Sequence, residues 1–157
     1  DLEVAQNVVD EIEPVFLRLM RERNDPSISR FESNLIHAKM EIAFAKRSPD
    51  DAELLIDRYM EAVEATNAVH DRYTYDARVC LIREDYAKAK ALVEKAVQSS
   101  FNMAAAEGFT AAHRVLGDSL LGVGVTSEAL RTYSLLSPGP PQQLRYRDFE
   151  LIQVDQR

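Results

Sequence analysis

Apolar residues recur at helical intervals along almost the whole chain. Behind Pro49, one such series runs at spacings of three, four, three and seven residues: Ala52, Leu55, Tyr59, Ala62 and Val69. Residues at these spacings share one stripe of an α-helix, whereas a half-buried strand needs strict alternation of apolar and polar residues. Before the C-terminal stretch no segment shows such alternation. The pattern therefore predicts an all-α chain of antiparallel helical pairs.

We expect seven or eight helices, and Pro14 should kink or split the first of them. Asp25-Pro26 and Ser48-Pro49 each place a capping side chain before a proline at the first helical position. The segment 144–154 mixes aromatic and β-branched residues, so part of it can be extended. The expected helices span about 2–23, 26–47, 49–68, 71–83, 85–100, 106–122, 126–136 and 141–154, with ends uncertain by about two to four residues.

Three repeated units follow each other in the chain, at about 33–66, 70–103 and 110–143. In the third unit a large and a small residue precede a glycine turn, and an alanine, an aromatic residue and a proline follow it. These positions are Leu116, Gly117, Gly124, Ala129, Tyr133 and Pro141. The second unit matches with Tyr73 as its large residue and Ala77 as its small one. The first departs from the pattern, because Met40 replaces the small residue and Tyr59 an alanine.

The third unit resembles the 34-residue tetratricopeptide repeat. The resemblance implies helical hairpins stacked as a right-handed superhelix, with 1–157 as one repeat domain and 144–157 as its C-terminal capping segment. The alternative is an ordinary helical bundle in which common helical residues match the pattern by chance.

Composition and charge restrict the possible partners. The 157 residues carry a net charge of −7, which repels a phosphate backbone and argues against direct nucleic-acid binding. Apolar runs are short and interrupted by charges, so we expect no membrane partner. Cys80 is the only cysteine, which fits a cytoplasmic setting. We expect the chain to be one piece of a larger cytoplasmic protein, because it begins at Asp1 without a methionine.

The resemblance also implies a binding surface, because the first helices of such units line a concave groove. We expect this groove to bind a peptide or another protein, with Arg78 and Arg114 holding a carboxylate and Asn34 a peptide backbone. The predicted binding residues are Asn34, His37, Glu41, Tyr75, Arg78, Arg114 and Asp118. Asp71, Thr74 and Leu121 are expected on the same surface.

No set of residues forms a recognisable catalytic or cofactor site. His37 and Glu41 have a spacing that can chelate a metal, but the other histidines are predicted to lie on different helix faces. Cys80 lies in an apolar stretch, which predicts a buried and unreactive thiol. We therefore expect no enzyme activity, no metal and no cofactor.

The leading hypothesis is a peptide- or protein-binding scaffold. One alternative is the ligand-sensing domain of a transcription regulator whose DNA-binding part lies outside the chain. The other is a structural dimerisation domain that self-associates through an apolar C-terminal cluster of Tyr146, Phe149, Leu151 and Ile152.

Overall fold

A computed structural model of the chain describes residues 2–22, 27–63, 69–100 and 106–136. Within these ranges every regular element is an α-helix, so the all-α prediction is confirmed. The eighth expected helix and the capping segment 144–157 lie outside the described residues. The helices are α1 (Leu2–Glu22), α2 (Ser27–Ala45), α3 (Pro49–Ala62), α4 (Val69–Ile82), α5 (Tyr86–Ser100), α6 (Ala106–Gly122) and α7 (Thr126–Ser134).

Six of the helices form three hairpins. Hairpin 1 is α2 with α3, hairpin 2 is α4 with α5, and hairpin 3 is α6 with α7, and the helices of each pair pack closely on each other. In each hairpin only three residues separate the two helices, at 46–48, 83–85 and 123–125. A connection this short forces packed neighbours to run antiparallel.

The three turns have the same backbone geometry. In hairpin 1, Arg47 has a φ of 56° and the Ser48 N–H donates to the Ala43 carbonyl at 3.0 Å. Glu84 (φ 61°) and Gly124 (φ 82°) occupy the equivalent position in the other hairpins, and the next N–H donates to a carbonyl five residues back in both. This is the Schellman helix ending, which bonds the last carbonyls of a helix through one left-handed residue. The turn thus gives a common register for comparing the hairpins.

Small residues bring the two helices of a hairpin together. An alanine five residues beyond each left-handed residue is fully buried, namely Ala52, Ala89 and Ala129. In hairpin 3, Gly117 lies against the ring of Tyr133, and a Cβ at Gly117 would be 2.5 Å from that ring. In hairpin 1 the position of Gly117 is taken by Met40, which is fully buried.

Both helices of each hairpin pack on the first helix of the next hairpin. α3 packs on α4 and α5 on α6, while the first helices also meet, α2 with α4 and α4 with α6. Two apolar cores lie at these junctions. One includes Met40, Ile56 and Val79, and the other includes Ala77, Val93 and Val115. α1 packs on α2 and buries Val9 and Phe16.

The structure bears on two expectations about prolines and caps. α1 is a single helix through Pro14, so the helix is not split there. Pro14 leaves the Asp10 carbonyl without its helical donor, but both residues are exposed and water can take the donor's place. Ser48 is the N-cap of α3, but its side chain does not cap the backbone; its hydroxyl donates to Asp51 at 2.6 Å instead.

No helix in the described ranges is both long and apolar enough to cross a membrane.

Candidate binding face

Five of the seven predicted binding residues occupy equivalent positions on the first helices of the hairpins. Counted back from the left-handed turn residue, position −6 is Glu41 in α2, Arg78 in α4 and Asp118 in α6. Position −10 is His37, Thr74 and Arg114. Positions −10 and −6 are four residues apart and therefore lie on one face of a helix. We call the side of α2, α4 and α6 that carries the seven predicted residues the candidate face.

A two-point ion pair joins α2 to α4 on this face. Arg78 donates from Nη1 and Nη2 to the two carboxylate oxygens of Glu41, at 2.5 and 2.8 Å. The Arg78 guanidinium also lies 3.8 Å from the centroid of the Phe44 ring. The side chains remain partly open to solvent, 27% for Arg78 and 43% for Glu41. Arg78 is therefore bound to its own chain, and a ligand carboxylate would have to compete with Glu41 for it.

The electrostatic effect of this pair outweighs the burial of Glu41. Burial raises the pKa of the Glu41 carboxyl, but the hydrogen bond and charge of Arg78, with a smaller contribution from His37, leave that pKa below its ordinary value. Glu41 is consequently ionised at neutral pH and remains ion-paired with Arg78.

Four rings from three helices pack together beside the ion pair, and we call His37, Phe44, Tyr59 and Tyr75 the aromatic cluster. Tyr75 is at its centre, with ring centroids 6.2 Å from His37, 6.2 Å from Phe44 and 5.8 Å from Tyr59. His37 and Tyr59 are 5.7 Å apart. Phe44 is buried, whereas the other three rings are partly exposed. The cluster therefore offers both ring surface and polar atoms to solvent.

The tyrosines of the cluster are held as neutral phenols. Burial raises the pKa of Tyr75, and the neighbouring Tyr59, Asp71 and Glu41 raise it further. Burial likewise raises the pKa of Tyr59, with Asp71 adding to the effect and a hydrogen bond with Tyr75 opposing it. Both hydroxyl groups stay protonated across the physiological range and can donate or accept a hydrogen bond.

α6 contributes a second polar group to the candidate face. The hydroxyl of Tyr133, from α7, donates to the carboxylate of Asp118. Burial, this hydrogen bond and the charge of Asp118 raise the pKa of Tyr133 to about 12, while Arg114 opposes the shift. Both Arg114 and Asp118 are exposed. No contact in the described residues links this group directly to the aromatic cluster.

The structure thus brings together four of the seven predicted residues: His37, Glu41, Tyr75 and Arg78. Asn34 is exposed one turn before His37, outside the cluster. Thr74 was expected on the surface but is buried.

Two residues of the cluster, Phe44 and Tyr59, were not predicted as part of the site. The sequence did mark Tyr59 as unusual, because this tyrosine occupies the position of Ala96 in hairpin 2, where the repeat pattern has alanine. Phe44 follows Glu41 by three residues and so lies on its side of α2.

The described residues contain no group of three or more His, Cys, Asp or Glu side chains placed to hold a metal ion. Cys80 is buried, and burial raises the pKa of its thiol, which disfavours the nucleophilic thiolate. The arrangement on the candidate face is suited to non-covalent recognition.

No protein-family model, curated protein or solved structure matches the chain.

Proposed function

We propose that the chain is a tetratricopeptide-like scaffold domain, part of a larger cytoplasmic protein, that binds an extended segment of another protein along the candidate face. The observation that carries the proposal is the aromatic cluster with the Glu41–Arg78 pair beside it. Partly exposed rings and ionised groups from α2, α3 and α4 converge there. Recognition surfaces are enriched in such aromatic residues and arginine.

Repetition of the hairpins supports the superhelical part of the proposal. The same Schellman turn, the same buried alanine and the same order of packing recur in all three. Each first helix packs on the next first helix, so position −6 recurs on successive helices as Glu41, Arg78 and Asp118. Repeat proteins bind extended partners along rows of this kind.

The side chains of the candidate face favour a ligand that has both apolar and acidic groups. The rings of His37, Tyr59 and Tyr75 suit an apolar or aromatic side chain, and the two phenols suit the peptide backbone. Arg114 is exposed on α6 and suits a carboxylate, while Arg78 is already engaged by Glu41. The expected ligand is therefore an extended segment with an apolar anchor near α2 and α4 and an acidic group near α6.

A variant that keeps both Glu41 and Arg78 tests the proposal at other residues of the face. His37→Ala with Arg114→Glu changes the face at both ends. The matched control is Lys88→Glu, an exposed charge reversal on α5, a second helix. Proteins captured from a source lysate by the native chain would be identified by mass spectrometry. The binding segment would then be titrated against all three chains by calorimetry, with circular dichroism as the check of folding.

We expect the double variant to bind the segment at least about tenfold more weakly than the native chain, and the control to bind within about twofold. Equal binding by all three chains would place the partner elsewhere and contradict the proposal. Failure of the native chain to retain any partner through purification would contradict it as well.

A further inference from the structure

α1 has two apolar stripes, and only one of them is covered in the described structure. Val9 and Phe16 are buried against α2, and the helix is held there by Lys39 with Glu13 and by Lys46 with Gln6. The second stripe remains 41–57% exposed and consists of Val4, Val8, Ile12, Val15 and Leu19.

The exposed stripe has the spacing of a helix-pairing seam. Val8, Ile12, Val15 and Leu19 are separated by four, three and four residues. This alternation of four and three keeps apolar side chains facing one partner helix along both helices of a pair. Apolar residues that are merely scattered over a globular surface have no reason to show such regular spacing.

We propose that the exposed stripe of α1 is a homodimer interface, in which it packs antiparallel on the same stripe of a second copy. A two-fold axis between residues 13 and 14 places each of the four seam residues opposite another seam residue of the second copy. It places Val8 opposite Leu19 of the partner subunit and Ile12 opposite Val15 of the partner subunit. The symmetry then repeats both layers, giving four apolar layers from one kind of surface.

Charges beside the seam agree with this register. Glu11 and Arg18 are exposed on the same edge of the stripe, seven residues apart. The axis places Glu11 level with position 16 of the second copy, so Arg18 of the partner subunit lies about 3 Å further along, within the reach of its side chain. Because equivalent edges meet in an antiparallel pair, the dimer forms two such Glu–Arg contacts. A parallel pair in register would instead bring this edge against the opposite edge of the partner helix.

The size of the stripe predicts a weak dimer. α1 is about 31 Å long, and a strip about 10 Å wide along it projects on the order of 300 Å². This is as large as the exposed apolar patches of monomeric proteins usually become, but smaller than one side of a standard protein interface. We therefore expect dissociation in the micromolar to submillimolar range.

Sedimentation equilibrium from about 1 µM to about 1 mM tests the interface. The native chain should rise from 17.8 kDa towards twice that mass. Ile12→Glu should remain monomeric over the whole range, because it places a charge in a central layer twice per dimer. Leu54→Glu is the control: Leu54 is 62% exposed on α3, away from the stripe, and this variant should dimerise like the native chain.

A strictly monomeric native chain would overturn the proposal, since the stripe would then serve another partner. A dimer that survives Ile12→Glu would also overturn it, because another surface, such as the C-terminal segment, would hold the copies together.

A charge exchange tests the antiparallel register. Glu11→Arg alone should weaken the dimer about 3–10-fold, even though it lowers the net repulsion between the acidic chains. Arg18→Glu alone should weaken it similarly, and the two changes together should restore it to within about threefold. Within one helix these residues lie about 10 Å apart, so rescue reports contact between copies. Absence of rescue would overturn this register.

Discussion

At the scale of single residues, two helices approach closely where a glycine leaves room for a ring of the other helix. Gly117 leaves the space that the Tyr133 ring fills, and the hydroxyl of Tyr133 donates a hydrogen bond to the neighbouring Asp118. Likewise, Gly122 faces the ring of Tyr86, and a Cβ there would be 2.0 Å from it. Both glycines therefore act through the space beside them, since neither has the positive φ that Gly124 has.

The role of Gly117 predicts a change of sign between two backgrounds. In the native chain, Gly117→Ala should lower the free energy of unfolding by about 1–3 kcal/mol, because the Tyr133 ring must move. In a Tyr133→Ala background the same change should raise it by up to about 1 kcal/mol, because alanine is the better helix former. Urea unfolding of the four chains measures both effects. Destabilisation of equal size in both backgrounds would contradict the role given to the tyrosine.

The lowered pKa of Glu41 predicts how stability depends on pH. A carboxyl whose folded pKa lies below its unfolded value of 4.5 stabilises the fold above that pH and loses its contribution as pH falls below it. At pH 7, Glu41→Gln should therefore lower the free energy of unfolding by about 0.5–1 kcal/mol, a range set by the solvent exposure of the pair.

This difference between the native chain and Glu41→Gln should shrink as pH falls from 4.5 towards 3. Urea unfolding at several pH values measures it. Glu61→Gln, a change at an exposed carboxyl of α3, is the control and should have little effect. A difference that stays constant from pH 7 to pH 3 would rule out an ionic contribution of Glu41.

Some residue-level features could be predicted from the sequence and others could not. The resemblance to tetratricopeptide repeats implied one surface for His37, Glu41, Tyr75 and Arg78, and these four side chains lie together in the structure, while their binding role stays a prediction. The sequence could not reveal that Arg78 pairs with Glu41, because the two residues lie on different helices and are 37 residues apart in sequence. Thr74 is polar but buried, and a polarity pattern cannot predict such a position.

At the scale of elements, the hairpin turns share one geometry although their sequences differ. Gly124 predicts its turn from the sequence, since glycine adopts a positive φ without strain. Arg47 and Glu84 take the same conformation with a Cβ, which costs roughly 1 kcal/mol or more at each. The shortness of these connections could be read from the helix pattern, but their left-handed residues could not.

The shared turn predicts opposite effects for two substitutions. Glu84→Gly should raise the free energy of unfolding by up to about 1 kcal/mol by relieving strain, less the extra flexibility that glycine gives the unfolded chain. Gly124→Ala should lower it by about 1 kcal/mol for the converse reason. Thermal or urea unfolding measures both. A stabilising Gly124→Ala would show that this turn does not need a left-handed residue.

At the scale of the whole molecule, the two junctions between hairpins differ in chemistry. On the solvent side of α3 and α4, Arg72 pairs with Asp57 at 2.7 Å, and Arg83 pairs with Glu53 and Asp50 at 2.5 and 2.8 Å. Both junctions also have an apolar core, and the core between hairpins 2 and 3 includes Ala77, Cys80, Val93, Ala112 and Val115. Exposed ion pairs are screened by salt, whereas apolar packing is not.

Salt should therefore loosen one junction more than the other. Raising the salt concentration from about 0.05 M to about 1 M should reduce hydrogen-exchange protection in α3 relative to α5 by roughly three- to tenfold. Comparison of the two helices within one molecule removes effects that salt has on the whole chain. Equal changes in α3 and α5 would mean that the arginine pairs contribute nothing to the junction.

We propose that the first helices of the three hairpins form one binding face. Hydrogen–deuterium exchange of the chain with and without its captured partner segment tests this proposal. We predict that the partner protects α2, α4 and α6 together, with α5 and α7 unchanged. Protection confined to α5 and α7, or to the exposed stripe of α1, would contradict the claim.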